Sequence, residues 1–154
     1  MMGKMRRPEG RESARRRRSR FARTVAAACD ELIGEIERRR ADRQISARVA
    51  QRFLEAIEQV AVVAEDEPDQ RQRDETERAG ELLGLYEGTP LTEWAADQVL
   101  LPPRITIFRR AIEDLSPSPA TQREEIRKTV KHEIAHHLGY SDEDLHRLGL
   151  GDAD

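Results

Sequence analysis

One segment, Thr121 to Gly139, is written as a helix at both ends and along its side. Thr121 and Glu124 have the T-x-x-E spacing of a capping box just after "SPSPA", and Gly139 stands where a left-handed residue stops a helix. Between them Ile126, Val130, Ile134 and Leu138 recur every four residues, so one face is apolar and needs a core to lie against. All four histidines of the chain, at 132, 136, 137 and 146, fall within fifteen residues at or just past this helix. At about 100° per residue, His132 and His136 sit one turn apart, well over 90° from the middle of the apolar stripe, while His137 lies across the helix from His132.

That placement favours metal chemistry over packing. Two imidazoles at i and i+4 on a helix face can reach one cation, and the full pattern is H-E-x-x-H, with Glu133 on the flank where a carboxylate can take a proton from water at the metal. A catalytic zinc takes three protein ligands and keeps one position open. Gly139 lets the chain turn back and bring Asp142 within reach, giving H-E-x-x-H-x-x-G-x-x-D with His132, His136 and Asp142 as the expected ligands. Asp144 and His146 stand as alternatives, because "SDED" can itself start a short helix capped by Ser141. His137 is expected to pack or cap. Tyr140 has two readings, an oxyanion stabiliser or a packing residue.

Upstream, Phe21, Val25, Ala28, Cys29, Leu32, Ile33 and Ile36 follow helical spacing, which predicts a first helix with Cys29 as a core residue. Ser46 can cap a second helix with Val49, Phe53, Ala56, Ile57 and Val60 on its buried face, leading into a short strand, "VAVVAE". Residues 65–80 carry charge without periodicity and predict a mobile loop. "ELLGLYEG" and "RITIFRRAI" are strand candidates, the second alternating Ile105 and Ile107 against Thr106 and Phe108 as a half-buried strand does. Trp94, in the connection between them, can line a groove or pack under a loop.

A chain of 154 residues, 37% hydrophobic, suits one domain with a modest core. Its single cysteine excludes an internal disulfide and agrees with a reducing compartment. No apolar run reaches the ~20 residues of a membrane span, and "TVAAAC" is too short for an export signal, so a cytoplasmic location is expected. Residues 1–20 hold nine basic residues and two glutamates, a net +7 that leaves −10 for residues 21–154. The expected organisation is a disordered basic arm over 1–20 and a single domain over 21–154, with nucleic acid as a possible partner of the arm.

The blocks "VVAEDEP", "LLGLYEGTPLTEW", "LPPRITIFRRAI" and "HEIAHHLGYSDEDL" resemble, in this order, those of the small bacterial family of minimal, metallopeptidase-like zincins, over roughly residues 47–148. The resemblance implies an α+β fold, a small sheet packed on helices with the active-site helix near the C-terminus and an edge strand bordering a zinc cleft. It implies His132, His136 and Asp142 as zinc ligands and Glu133 as the catalytic residue. The chain departs from the pattern in its basic arm and long first helix, and in Ala135 where glycine is frequent. Its methionines, at 1, 2 and 5, leave no methionine turn of the metzincin kind. The resulting expectation is a zinc-dependent hydrolase acting on a peptide or protein, in which the metal polarises the scissile carbonyl and Glu133 passes the proton to the leaving amine.

Two other functions compete. "HEIAHHLGYSD" is also similar to the H-x-x-x-H-x-x-G-Y-D-H signature of bacterial ribosomal-RNA maturation endoribonucleases, which a basic arm would suit. That signature lacks glutamate after its first histidine and has histidine where this chain has Asp142. The other alternative is a non-catalytic binding module stabilised by zinc. Oligomeric state is not written in the sequence.

Overall fold

The structure, a computed structural model, describes residues 12–74, 82–88 and 101–152. Residues 1–11 of the basic arm, residues 75–80 of the expected loop and Trp94 lie outside the described residues. Helix α1 (Ala14–Ala41) buries Phe21, Val25, Ala28, Leu32 and Ile36 along one side, the spacing read from the sequence. It begins earlier than expected. Ser13 caps it, its hydroxyl accepting the Arg16 N–H at 3.3 Å, so residues 14–20 are helix and not part of a disordered arm. Arginine is a good helix former, and propagating an existing helix needs no new nucleus. Cys29 packs against the core; burial, then the Asp30 charge, pushes its thiol up to about 11, which suits a packing residue.

Ser46 caps α2 (Ala47–Gln59) as expected, accepting the Val49 N–H at 3.1 Å, and Phe53 and Ile57 turn inward. The chain continues into β1 (Ala61–Glu65). The part of the expected loop that lies within the described residues, 65–74, holds structure instead. Helix α3 (Gln70–Asp74) starts on a reciprocal cap, with the Asp69 carboxylate accepting the Gln72 N–H at 2.8 Å and the Gln72 side chain accepting the Asp69 N–H at 2.9 Å. Asp66 is held by Arg109 at 2.9 Å and Arg18 at 3.3 Å, and the Arg109 hydrogen bond keeps its carboxyl below the ordinary range.

Strands β2 (Gly84–Glu87) and β3 (Arg104–Phe108) complete a three-stranded sheet in the order β1-β3-β2. β3 runs parallel to β1, Val62 opposite Ile105, and antiparallel to β2, Tyr86 opposite Ile105. The alternation in "RITIF" suggested a half-buried strand, yet Ile105, Thr106, Ile107 and Phe108 are all fully buried, because the central strand is covered on both faces. The extended reading also ran too far. At Arg109 the chain enters α4 (Arg109–Leu115), where Arg109 meets Glu113, one helical turn on, at 3.0 Å.

Helix α5 (Pro119–His137) runs alongside α1 in the same direction, in step. Arg123 meets Glu31 at 3.1 Å and, one turn on, Arg127 meets Glu35. A further turn of α5 contributes Lys131, fully buried, whose ammonium donates to Glu35 at 3.1 Å and to Asp152 at 2.5 Å. Burial alone would raise the Asp152 carboxyl, but the Lys131 hydrogen bond and charge, with Arg127 and Lys128, hold it below its ordinary value. Arg39 donates to the Gly149 and Gly151 carbonyls at 2.5 and 3.1 Å. The end of the described chain is thereby fastened to the two long helices.

Candidate metal centre

The helix that carries the histidines starts three residues before the expected capping box. Ser118 caps it, its hydroxyl accepting the Thr121 N–H at 3.2 Å, and Pro119 occupies the first turn, where a missing N–H costs nothing and φ is preset. Thr121 answers by accepting the Ser118 N–H at 3.4 Å. The stop is as expected. Gly139 takes φ +89°, with its N–H on the His136 carbonyl at 3.0 Å and the Tyr140 N–H on the Ala135 carbonyl at 2.8 Å. That is a Schellman turn, closed by a residue that tolerates left-handed backbone.

Two residues later Ser141 caps α6 (Asp142–Arg147), its hydroxyl accepting the Asp144 N–H at 3.1 Å while the Asp144 carboxylate accepts the Ser141 N–H at 2.9 Å. The cap consumes Asp144. Its carboxyl is held low by the hydrogen bonds from Ser141 and by Arg147, so it is engaged elsewhere. Asp142, at the first position of α6, points back at the α5 histidines. Its Oδ1 lies 3.0 Å from His132 Nδ1 and 3.3 Å from His136 Nε2. One potential ligand atom from each of the three residues falls within 4.8 Å of the others. Asp142 is 70% exposed and the histidines 41% and 34%, so the group opens to solvent. His146 is outside it, its ring set against Gly151, where a Cβ would come within 2.6 Å of Nδ1.

Glu133 turns toward the sheet. Its Oε2 accepts the Tyr86 backbone N–H at 3.0 Å, which ties the helix carrying the histidines to β2, the edge strand. The two elements approach closely. A Cβ on Gly84 would meet Thr129 Cγ2 at 2.7 Å. The Tyr86 ring stacks on His137 with centroids 4.3 Å apart, and the phenol oxygen lies 3.2 Å from His137 Nε2. Burial pushes the Tyr86 phenol up and the His137 imidazole down, and the stack on Tyr86 makes His137 a packing residue with one side exposed. Tyr140 takes the second of its two readings. Arg52 donates to its hydroxyl at 2.5 Å and lies 5.1 Å above its ring, and Phe53 stacks parallel at 6.0 Å. A cavity of about 170 Å³ beside the helix is lined by Arg52, Glu55, Tyr86, Pro103, Ile134 and His137 among others. Sequence spacing assigned Tyr86 and Arg52 no part here, since both arrive from distant segments.

Two imidazoles and a carboxylate form a donor set of the kind zinc takes, and three protein ligands leave a coordination position for another group. Among the described residues no helix is long and apolar enough to cross a membrane. A profile of the zincin-like metallopeptidase family matches residues 57–151. The match takes in the whole sheet, α5 and the His/His/Asp group, and omits α1. No curated protein matches the chain significantly. The family implies a zinc-binding site and a peptidase-like hydrolase of α+β fold, as the helices and mixed sheet here display. With well over half of its residues inside the match, the chain belongs to the zincin-like metallopeptidase family.

Proposed function

We propose that this chain hydrolyses peptide bonds, holding zinc through His132, His136 and Asp142 and moving the proton through Glu133. The observation that carries the reading is the convergence of the three donor side chains within 4.8 Å, with Glu133 next to the first ligand and joined to the edge strand. Zinc bound there supplies Lewis acidity to a carbonyl and acidifies water. The chain's own residues do the rest. Glu133, released from Tyr86 or sharing its second oxygen, takes the proton of the attacking water and delivers it to the departing amine. In this reading β2, the edge strand beside the ligand helix, is where the backbone of an extended peptide would add once Glu133 frees the Tyr86 N–H.

The ribonuclease reading is weaker on two grounds. Asp142 occupies the position where that signature has histidine, and the arginine-rich start of α1 is far from the ligands. Because α1 and α5 run in step, with Arg123 beside Glu31, Arg16 and His136 are separated by about 40 Å at ~1.5 Å of rise per residue. The test compares wild type with Glu133→Gln, both zinc-loaded, on a broad peptide library and an RNA panel. Peptide cleavage that falls by roughly 10²–10⁴ in the variant, with zinc retained, supports the proposal. Indistinguishable behaviour of the two proteins on peptides defeats it.

A further inference from the structure

The first turns of α1 carry more positive charge than the ion pairs among the described residues neutralise. From Ala14 to Arg23 the helix has six arginines and no acid; Phe21 is the one buried residue of that stretch. Arg18 is paired with Asp66 and Arg20 with Glu12. Arg15, Arg16 and Arg23 have no ion pair among the described residues, and all three are exposed. With about 100° between successive residues, Arg15, Arg16, Arg20 and Arg23 fall within roughly 140° of arc, on the side of the helix away from Phe21 and Val25. This is a coherent cationic face. The rest of the chain is acidic, with −10 over residues 21–154 against +7 over residues 1–20.

We propose that this face is a docking surface for the phosphate backbone of a nucleic acid, independent of the metal chemistry and about 40 Å from it by the rise of the two helices. The residue choice points to phosphate. Every cation in the stretch is arginine, whose planar fork meets two phosphate oxygens at once, where lysine offers only a point charge. A membrane surface is disfavoured, since an interfacial helix needs large apolar residues beside its cations. Here Phe21 and Val25 are committed to the core and the exposed neighbours are Ala22, Ala26 and Ser19. Among the described residues no exposed aromatic accompanies the arginines, so this face offers no base stacking and binding is indifferent to sequence. The acidic remainder of the chain repels the same polyanion and confines binding to this end.

The test uses full-length protein and a mixed-sequence 20-base-pair DNA duplex, with binding followed by fluorescence anisotropy from 50 to 200 mM salt. Wild type binds in the micromolar range at the lowest salt and weakens steeply as salt rises. Changing Arg15, Arg16 and Arg23 together to alanine lowers the slope of log K against log salt by ~2.7, about 0.9 for each phosphate that is no longer neutralised. Alanine is the best helix former, so α1 persists in this variant, as circular dichroism verifies. The same three positions changed to lysine keep most of the slope. Absence of duplex binding at 50 mM salt overturns the proposal, as does a slope that the alanine variant leaves unchanged. Binding to phosphatidylserine vesicles without binding to duplex, or equal competition by polyglutamate at matched charge, also overturns it.

Discussion

The Glu133 carboxylate accepts the backbone N–H of Tyr86 at 3.0 Å, so the residue proposed to move the proton also holds the edge strand to its helix. The two duties separate by substitution. Glutamine keeps an acceptor oxygen in place, and Glu133→Gln should leave the urea midpoint nearly unchanged. Alanine removes the acceptor from a half-buried donor, and Glu133→Ala should cost about 1–3 kcal/mol. Equal stability of the two variants would show that the Tyr86 hydrogen bond does not fasten β2.

The ligand assignment predicts about one zinc per chain in the purified protein. His132→Ala and His136→Ala should each lose most of it, and Asp142→Ala should weaken it, because each donor atom lies within 4.8 Å of the other two. His146→Ala should retain zinc, since that ring packs against Gly151. Metal analysis after dialysis decides the matter, and a loss at His146 equal to that at His132 would replace Asp142 in the scheme.

Gly84 is a glycine for lack of space. A Cβ there would stand 2.7 Å from Thr129 Cγ2, 3.1 Å from Ile107 Cδ1 and 3.2 Å from the Thr106 carbonyl. Gly84→Ala should therefore destabilise the domain by about 1–3 kcal/mol through overpacking. Thr129→Ser deletes the nearest methyl while keeping the hydroxyl bond to the Glu125 carbonyl, and in that background the penalty should shrink. A double-mutant cycle without coupling between the two sites would contradict this account.

The buried cluster around Lys131 sets an acid limit on stability. Asp152 has a carboxyl held below its ordinary 3.8, so its contribution is present above that value and disappears as pH falls through the lower folded one. Unfolding midpoints should decline below about pH 4, and Asp152→Asn should flatten that decline while lowering stability at neutral pH. Lys131→Ala should cost about 3–5 kcal/mol at pH 7, because it leaves buried carboxylates short of a cation. A change below about 1 kcal/mol would mean that water or Arg127 compensates.

Local signals were legible and long-range ones were not. Ser46, Ser141 and Gly139 act within three or four residues of themselves, and each bounds a helix where the sequence said it would. The same reasoning, applied to Ser118-Pro119 and to the D-x-x-Q of Asp69 and Gln72, would have found the true start of α5 and the presence of α3. The H-E-x-x-H spacing gave the two histidines on one face because that geometry is internal to a helix. Lys131 could not be read, since a charged residue is buried only when partners come from elsewhere, here from α1 and the chain end. Nor could the hold of Tyr86 on Glu133, which spans 47 residues.

The edge strand β2 is four residues long and fixed at both ends. Gly84 is wedged against Thr129 with no room for a methyl group. Glu87 is gripped by Arg71 and Gln72 at 2.9 Å, with Arg104 at 3.6 Å. A beam clamped at both ends barely flexes between its supports, and Leu85 and Tyr86 are the only residues between these. If the rim beside the histidines takes the substrate, as proposed, it meets that chain as a straightedge, and a compact or helical segment would have to unwind before it fits.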